Sequence, residues 1–253
     1  MVQPARRPAR GRRAARGDAQ LSGFVSALQL SDSAFPSGRY TLSYGLEAFA
    51  QSGALGTPAK RSTLRELLGD SIRFGVAPSD GAALACAHRA ASVDGQVDLE
   101  LVRHVDERLT AVKVARESRE ASLRTGRAML ATAVAAFAHT ALTGYVELVQ
   151  RRSVPGNHAV VLGLLSACLG VPCLEAVAGE LYAFSSGWVA AAIRLGLIDH
   201  RAAQGLLHQA RSLIVEAALK TVDRDVNEIS SCTPLLDVMA MRHEQSEVRL
   251  FAS

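Results

Sequence analysis

Seven histidines and four cysteines are the side chains of this 253-residue chain best suited to hold a metal ion or to attack a substrate. Their spacing argues against both. His88, His104, His139, His158, His200, His208 and His243 are dispersed, and none lies three or four residues from another, the separation that puts two ligands on one helix face. His200 and His208 stand two helical turns apart, too far to share one ion on a straight backbone. Cys86, Cys168, Cys173 and Cys232 include no Cys-x-x-Cys pair, so they are expected to be reduced, buried small hydrophobes rather than a disulfide framework. There is no Gly-x-Gly-x-x-Gly, no Gly-x-x-x-x-Gly-Lys-Ser/Thr and no His-Glu-x-x-His. Ser43 and Ser231 do not stand in a nucleophile elbow. The acid pairs Asp223/Asp225 and Glu244/Glu247 fall near loops or the chain end, where solvated charge is expected. A metal site assembled only by the tertiary fold stays open. Otherwise the chemistry points to a non-enzymatic helical scaffold with no catalytic residue, no cofactor and no metal ligand set.

Charge is concentrated at the start. Arg6, Arg7, Arg10, Arg12, Arg13 and Arg16 crowd the first twenty residues, and without them the formal charge of +4 becomes −2. Such a tail could meet phosphates or an acidic surface. It lacks interleaved aromatics for stacking bases, so a solubilising extension is expected and no nucleic-acid partner. No continuous apolar run follows the arginines, which argues against a secretory signal. An Arg- and Ala-rich start also suits a transit peptide.

The elements that must position any site are helices. Hydrophobic residues make up 49% of the chain and aromatics only 5%, so the apolar mass is mainly Ala, Leu and Val. Ala and Leu are the best helix formers, and no alternating strand pattern appears. The expected fold is all-α: a disordered tail over residues 1–20, then one helical domain over 21–253 with about nine to ten helices. Pro36 and Gly38 break the chain after a first helix. Thr41 is expected to cap a second, carrying Leu42, Leu46 and Phe49 as one stripe. Gly45 inside it would let another backbone come close. Thr57-Pro58 opens a third, with Leu64, Leu67, Leu68 and Ile72 facing the core and Gly75 to Pro78 ending it. Later helices are expected near 78–91, 99–109 with Asp98 as cap, 112–140, 158–169, 172–195 and 201–221, and one starting at Thr233-Pro234. The 112–140 helix should have a charged, solvated first half and a second half in the core. Met129–Val146 and Ala159–Leu174 are apolar enough to test as membrane spans, but read as buried helices, so no membrane partner is expected.

The chain closes on Arg249-Leu250-Phe251. An apolar tip after a short helix must pack back on its own domain or dock to a partner, and a segment that orders on docking can act as a clasp.

The two ends together resemble the UreF family of urease accessory proteins. LQLSDSAFPSGRYTLSYGLEAF (residues 28–49) is similar to the family's N-terminal signature, ESREASLRTGRAML (117–130) to its Glu-x-Arg-x-x-Ser-x-x-x-Gly-Arg helix, and CTPLLDVMAMRHEQSEVRLFAS (232–253) to its ending. HAVVLGLLSACLGVP and WVAAAIRLGLID resemble two further helices. The likeness spans residues 21–253. It departs from the family pattern at Ser37, Arg39, Leu42 and Gly196–Asp199. The resemblance implies an all-α, dimeric, cytoplasmic protein without a catalytic centre. Such a protein would bridge a UreD (UreH) accessory protein and the nickel-carrying GTPase UreG, for GTP-dependent nickel delivery to apo-urease. It implies a partner interface carried by Tyr44, Gly45, Glu47, Arg249, Phe251 and Ser253. The alternative of another class is a metallochaperone that binds nickel itself.

Overall fold

The computed structural model describes residues 9–55, 61–91, 96–137, 140–245 and 250–251. Among them there is no strand. The α-helices are α1 (Ala9–Ser31), α2 (Leu46–Gln51), α3 (Arg61–Asp70), α4 (Ala82–Ala90), α5 (Leu99–Val112), α6 (Arg116–Phe137), α7 (Thr143–Gln150), α8 (His158–Cys168), α9 (Cys173–Arg194), α10 (His200–Thr221) and α11 (Pro234–His243). This is the all-α domain expected. Local chemistry sets several ends. Asp98 accepts from the Leu101 N–H at 3.0 Å to start α5, and Asp199 from the Ala202 N–H at 2.7 Å to start α10. Pro234 occupies the first turn of α11, where its missing N–H is harmless.

Helix α8 is the centre of the bundle. Every residue from His158 to Ser166 is buried, and the helix packs against α1, α4, α5, α6 and α9. Three glycines permit the closest crossings, and a Cβ on Gly23 of α1 would overlap the Gly170 carbonyl oxygen. A Cβ on Gly126 of α6 would overlap the Gly156 carbonyl oxygen and come within 2.7 Å of the His158 nitrogen; a Cβ on Gly163 of α8 would overlap the Leu84 carbonyl oxygen. Helix α9 is long and apolar enough to cross a membrane, but Leu181, Phe184 and Trp188 are buried inside the bundle.

The entry to α8 is pinned by a buried carboxylate. Asp106 of α5 accepts from the Tyr145 hydroxyl at 2.8 Å, the Gly156 N–H at 2.7 Å, the Asn157 N–H at 2.9 Å and the Asn157 side-chain amide at 2.7 Å. Burial pushes the Asp106 carboxyl above its usual range, against the pull of these donors.

Several expectations need correcting. Helix α1 starts at Ala9, inside the stretch expected to be a disordered tail; its Ala and Arg residues are strong helix formers even without an apolar stripe. Gly75–Pro78 does not end a helix. α3 and α4 are joined by a π-helical segment, Ser71–Gly81, that carries Pro78 inside it. Pro78 has no N–H to give, and a passing chain makes up bonds here: Cys232 N–H donates to the Phe74 carbonyl at 2.8 Å, and Ser230 N–H to the Pro78 carbonyl at 3.0 Å. The second half of α6 is core only in part, since Met129, Leu130 and Ala133 are buried but Val134 is half exposed, while its charged beginning contains the buried Glu117. Cys86 is buried as expected, and burial pushes its thiol up to about 11, whereas Cys232 is exposed. The Thr57-Pro58 start lies outside the described residues.

Gly126→Val should lower stability by about 2 kcal/mol or more, because rigid backbone rather than a movable side chain fills the space. Gly205→Ala in α10, where nothing lies within 4 Å, should raise it by about 0.5–1 kcal/mol. Urea unfolding midpoints distinguish the two, and equal shifts would contradict the crossing geometry.

Candidate functional site

The break after α1 is a built turn. Asp32 accepts from the Ala34 N–H at 2.8 Å, the Phe35 N–H reaches the Asp32 carbonyl, and the chain turns through Pro36 and Gly38 into a 3-10 turn, Arg39–Thr41. Tyr44 and Gly45 then both take positive φ, 54° and 80°. Gly45 is therefore not inside a helix: it is the residue before α2, and its role is the left-handed backbone rather than a close approach, since a Cβ there would meet Leu236 only at 3.7 Å. The Tyr44 ring packs edge-on against Phe184 at 4.8 Å, in space left by Gly187 of α9.

This turn drives Glu47 of α2 into the interior, where its side chain is 1% exposed. Glu47 Oε2 meets His243 Nε2 at 2.9 Å, and the other ring nitrogen, Nδ1, meets Glu117 Oε2 at 2.9 Å. Carboxylates only accept, so the ring satisfies both when each nitrogen carries a proton, or when one carboxyl is itself protonated. Glu47 also takes the chain end: the Leu250 N–H donates to Oε1 at 2.8 Å and the Phe251 N–H to Oε2 at 3.2 Å. The Phe251 ring is buried beneath the Arg194 guanidinium at 4.3 Å, and that guanidinium stacks on Tyr40 at 4.4 Å. Glu244, expected to be solvated, accepts from the Glu117 N–H at 3.2 Å and pairs with Arg116 at 3.4 Å.

Beneath the turn lies a cavity of about 180 Å³ between α6, α8, α9, α11 and the π-helical segment. A second buried cluster forms part of its wall. Arg39 holds Glu180 of α9 with two bonds, 2.6 and 3.0 Å, and donates to His158 Nε2 at 3.1 Å. Burial alone would push the Glu180 carboxyl up, but the Arg39 charge, with His158, pulls it down to about 2. Lys113 pairs with Asp80 at 2.7 Å on the same wall.

The structure thus brings together Tyr44, Gly45, Glu47 and Phe251, while Arg249 and Ser253 lie outside the described residues. Sequence reasoning left out His243, Glu117, Arg39, Glu180, His158 and Arg194. Glu117 opens the middle motif, His243 sits in the His-Glu of the closing one, Arg39 in the signature, and His158 and Arg194 in the two further stretches, so five were within quoted motifs. Glu180 had no such signal. Among the described residues no three His, Cys, Asp or Glu side chains are grouped to hold a metal ion.

Two outcomes check this geometry. His243→Leu leaves two buried carboxylates without their shared partner. It should cost roughly 3–5 kcal/mol in denaturant unfolding and make the chain end more sensitive to limited proteolysis. The low folded pKa of Glu180 against its usual 4.5 means that the unfolded chain takes up the proton first. Its stabilisation is complete above about pH 4.5 and fades as pH falls toward 2, so Glu180→Gln should flatten that limb of the stability–pH curve by roughly 3 kcal/mol.

Known proteins share this organisation at the level of sequence. The UreF family pattern matches residues 59–211, more than half of the chain. Urease accessory protein UreF 2 of Brucella canis is 30% identical over 231 residues, 91% of this chain and 92% of its own length. Urease accessory protein UreF of Trichodesmium erythraeum is 30% identical over 240 residues, 93% and 99% of the two chains. The corresponding protein of Corynebacterium efficiens is 30% identical over 230 residues, 90% and 96%. With the family pattern over more than half of the chain and relatives 30% identical over nine-tenths of it, the protein belongs to the UreF family of urease accessory proteins.

Proposed function

We propose that this protein is a non-catalytic scaffold for urease maturation. It binds a UreD (UreH)-like accessory protein and a UreG-like GTPase, and so supports GTP-dependent nickel insertion into apo-urease, working as a cytoplasmic homodimer. The observation that carries this proposal is the junction of the two ends through Glu47. One buried carboxylate fixes the backbone of Leu250 and Phe251 against the signature turn. Leu235, Val238 and Met241 then form an outward apolar stripe along α11, with Leu250 also exposed. Contiguous exposed apolar surface of this kind marks a docking face.

Of the six expected residues, the four described ones divide their work. Glu47 is too deeply buried to touch a partner, so it acts by holding the chain end in place. Gly45 sets the backbone of the turn, and Tyr44 braces it against α9. Phe251 anchors the end under Arg194, and Arg249 and Ser253 flank it in sequence. A nickel-carrying role of the protein's own finds no favouring observation among the described residues.

The double variant Leu235→Asp/Val238→Asp changes only exposed side chains. It should keep its helical circular dichroism, lose co-purification with the UreD-like partner and, on co-expression with the urease genes, yield little urea hydrolysis. A complex that still assembles at normal yield would rule out this face.

A further inference from the structure

Helix α1 meets the body of the protein through a narrow strip of mostly small residues. Gly23 lies on the Gly170 carbonyl just before α9, and a Cβ on Gly179 of α9 would stand 3.1 Å from the Ser31 hydroxyl oxygen. Of the large apolar residues from Leu21 to Leu30, only Leu30 is buried. The others turn outward: Leu21 is 62% exposed, Phe24 51%, Val25 56% and Leu28 56%. Steps of three, four and seven residues from Leu21 put all four on one face of the helix. A surface helix ordinarily does the reverse and sets its large apolar side chains against the core. Together the four leave roughly 400 Å² of apolar surface in water, a patch of the size that marks an interaction site.

Three features select a second copy of this chain as the occupant. The stripe is self-complementary: Leu21-Ser22-Gly23-Phe24-Val25-Ser26-Ala27-Leu28 runs from leucine through two small residues, two large apolar ones and two small ones to leucine, in either direction. A two-fold interface requires a patch that matches itself. Antiparallel pairing about a point between Phe24 and Val25 sets Leu21 against Leu28 of the second copy, and the larger Phe24 against the smaller Val25. The stripe is also uncharged. No charged residue stands between Asp18 and Asp32, so nothing repels across the axis, and an antiparallel course keeps the two arginine-rich starts at opposite ends. The area is sufficient as well. Tyr182 of α9, one turn past Gly179 and 47% exposed, flanks the strip on which α1 rests. With it, two copies would bury on the order of 1,000 Å², the lower end of a specific interface.

We propose that α1 packs antiparallel against α1 of a second copy, about a two-fold axis between Phe24 and Val25. This interface rests on the homodimer of the proposed function and gives that dimer its surface. It shares no residue with the α11 stripe assigned to the accessory partner.

Analytical ultracentrifugation of the full chain is the test. The wild-type protein should sediment as a dimer at micromolar concentration. Phe24→Asp/Val25→Asp changes only exposed side chains and gathers four like charges around the axis. It should keep its helical circular dichroism and raise the dimer dissociation constant roughly 100-fold or more. Leu235→Asp/Val238→Asp, on the other face, should remain dimeric. A charge cycle reads the register: Leu21→Glu and Leu28→Lys should each weaken the dimer. The double variant, in which Glu meets Lys twice, should lose about fivefold less than the two single losses multiplied together. A wild-type monomer at every concentration overturns the homodimer reading, and this interface with it. A wild-type dimer that Phe24→Asp/Val25→Asp leaves intact overturns the interface alone. Losses that simply multiply in the charge cycle overturn the antiparallel register.

Discussion

A buried carboxylate must be partnered, and Glu47 meets that demand with groups from distant parts of the chain. His243 comes from α11, and Leu250 and Phe251 offer their backbone N–H groups from the chain end. Through the other nitrogen of the same imidazole, Glu117 ties in α6. Stripping water from two carboxylates is costly, and a burial of this kind persists only when every acceptor is met. The geometry of the turn before α2, the seat of α11 and the course of the chain end are therefore one problem with one solution. Removing any member leaves the others as uncompensated buried charge.

A second chain of constraints runs from the centre of the bundle outward. Asp106 fixes Gly156 and Asn157, which fixes where α8 starts. That places His158 beside Arg39, and Arg39 in turn locks Glu180 of α9. Gly126 allows α6 to lie directly on this backbone. His243 and Glu117 of one charge cluster and Arg39, His158 and Glu180 of the other line the same cavity, so its polar wall is built from side chains that the two ends of the chain and the central helices fix in place.

Much of the fold was legible in the sequence, and for physical reasons. Helix periodicity is local, so Leu64, Leu68 and Ile72 were read correctly as a core face, and Asp98 and Pro234 mark helix starts by chemistry that acts over three residues. The misreadings share a cause. Pro78 looked like a terminator because the bonds that carry the helix through it come from Ser230 and Cys232, about 150 residues away in sequence. Gly45 looked like a packing glycine because a positive φ leaves no trace in an apolar stripe, while the close approaches of Gly23, Gly126 and Gly163 depend on which backbone the fold brings against them.

For the site, the sequence by itself determined the break near the start and the apolar tip at the end, and its likeness to the UreF family pointed to Tyr44 and Glu47. Contiguous motifs are enough for that. Only the tertiary structure decided that Glu47 faces inward to hold the chain end rather than outward to a partner, that His243 bridges two acids, and that Arg194 of α9 covers Phe251. Those choices depend on which carboxylate is cut off from water, and burial is a property of the packed bundle that no local pattern carries.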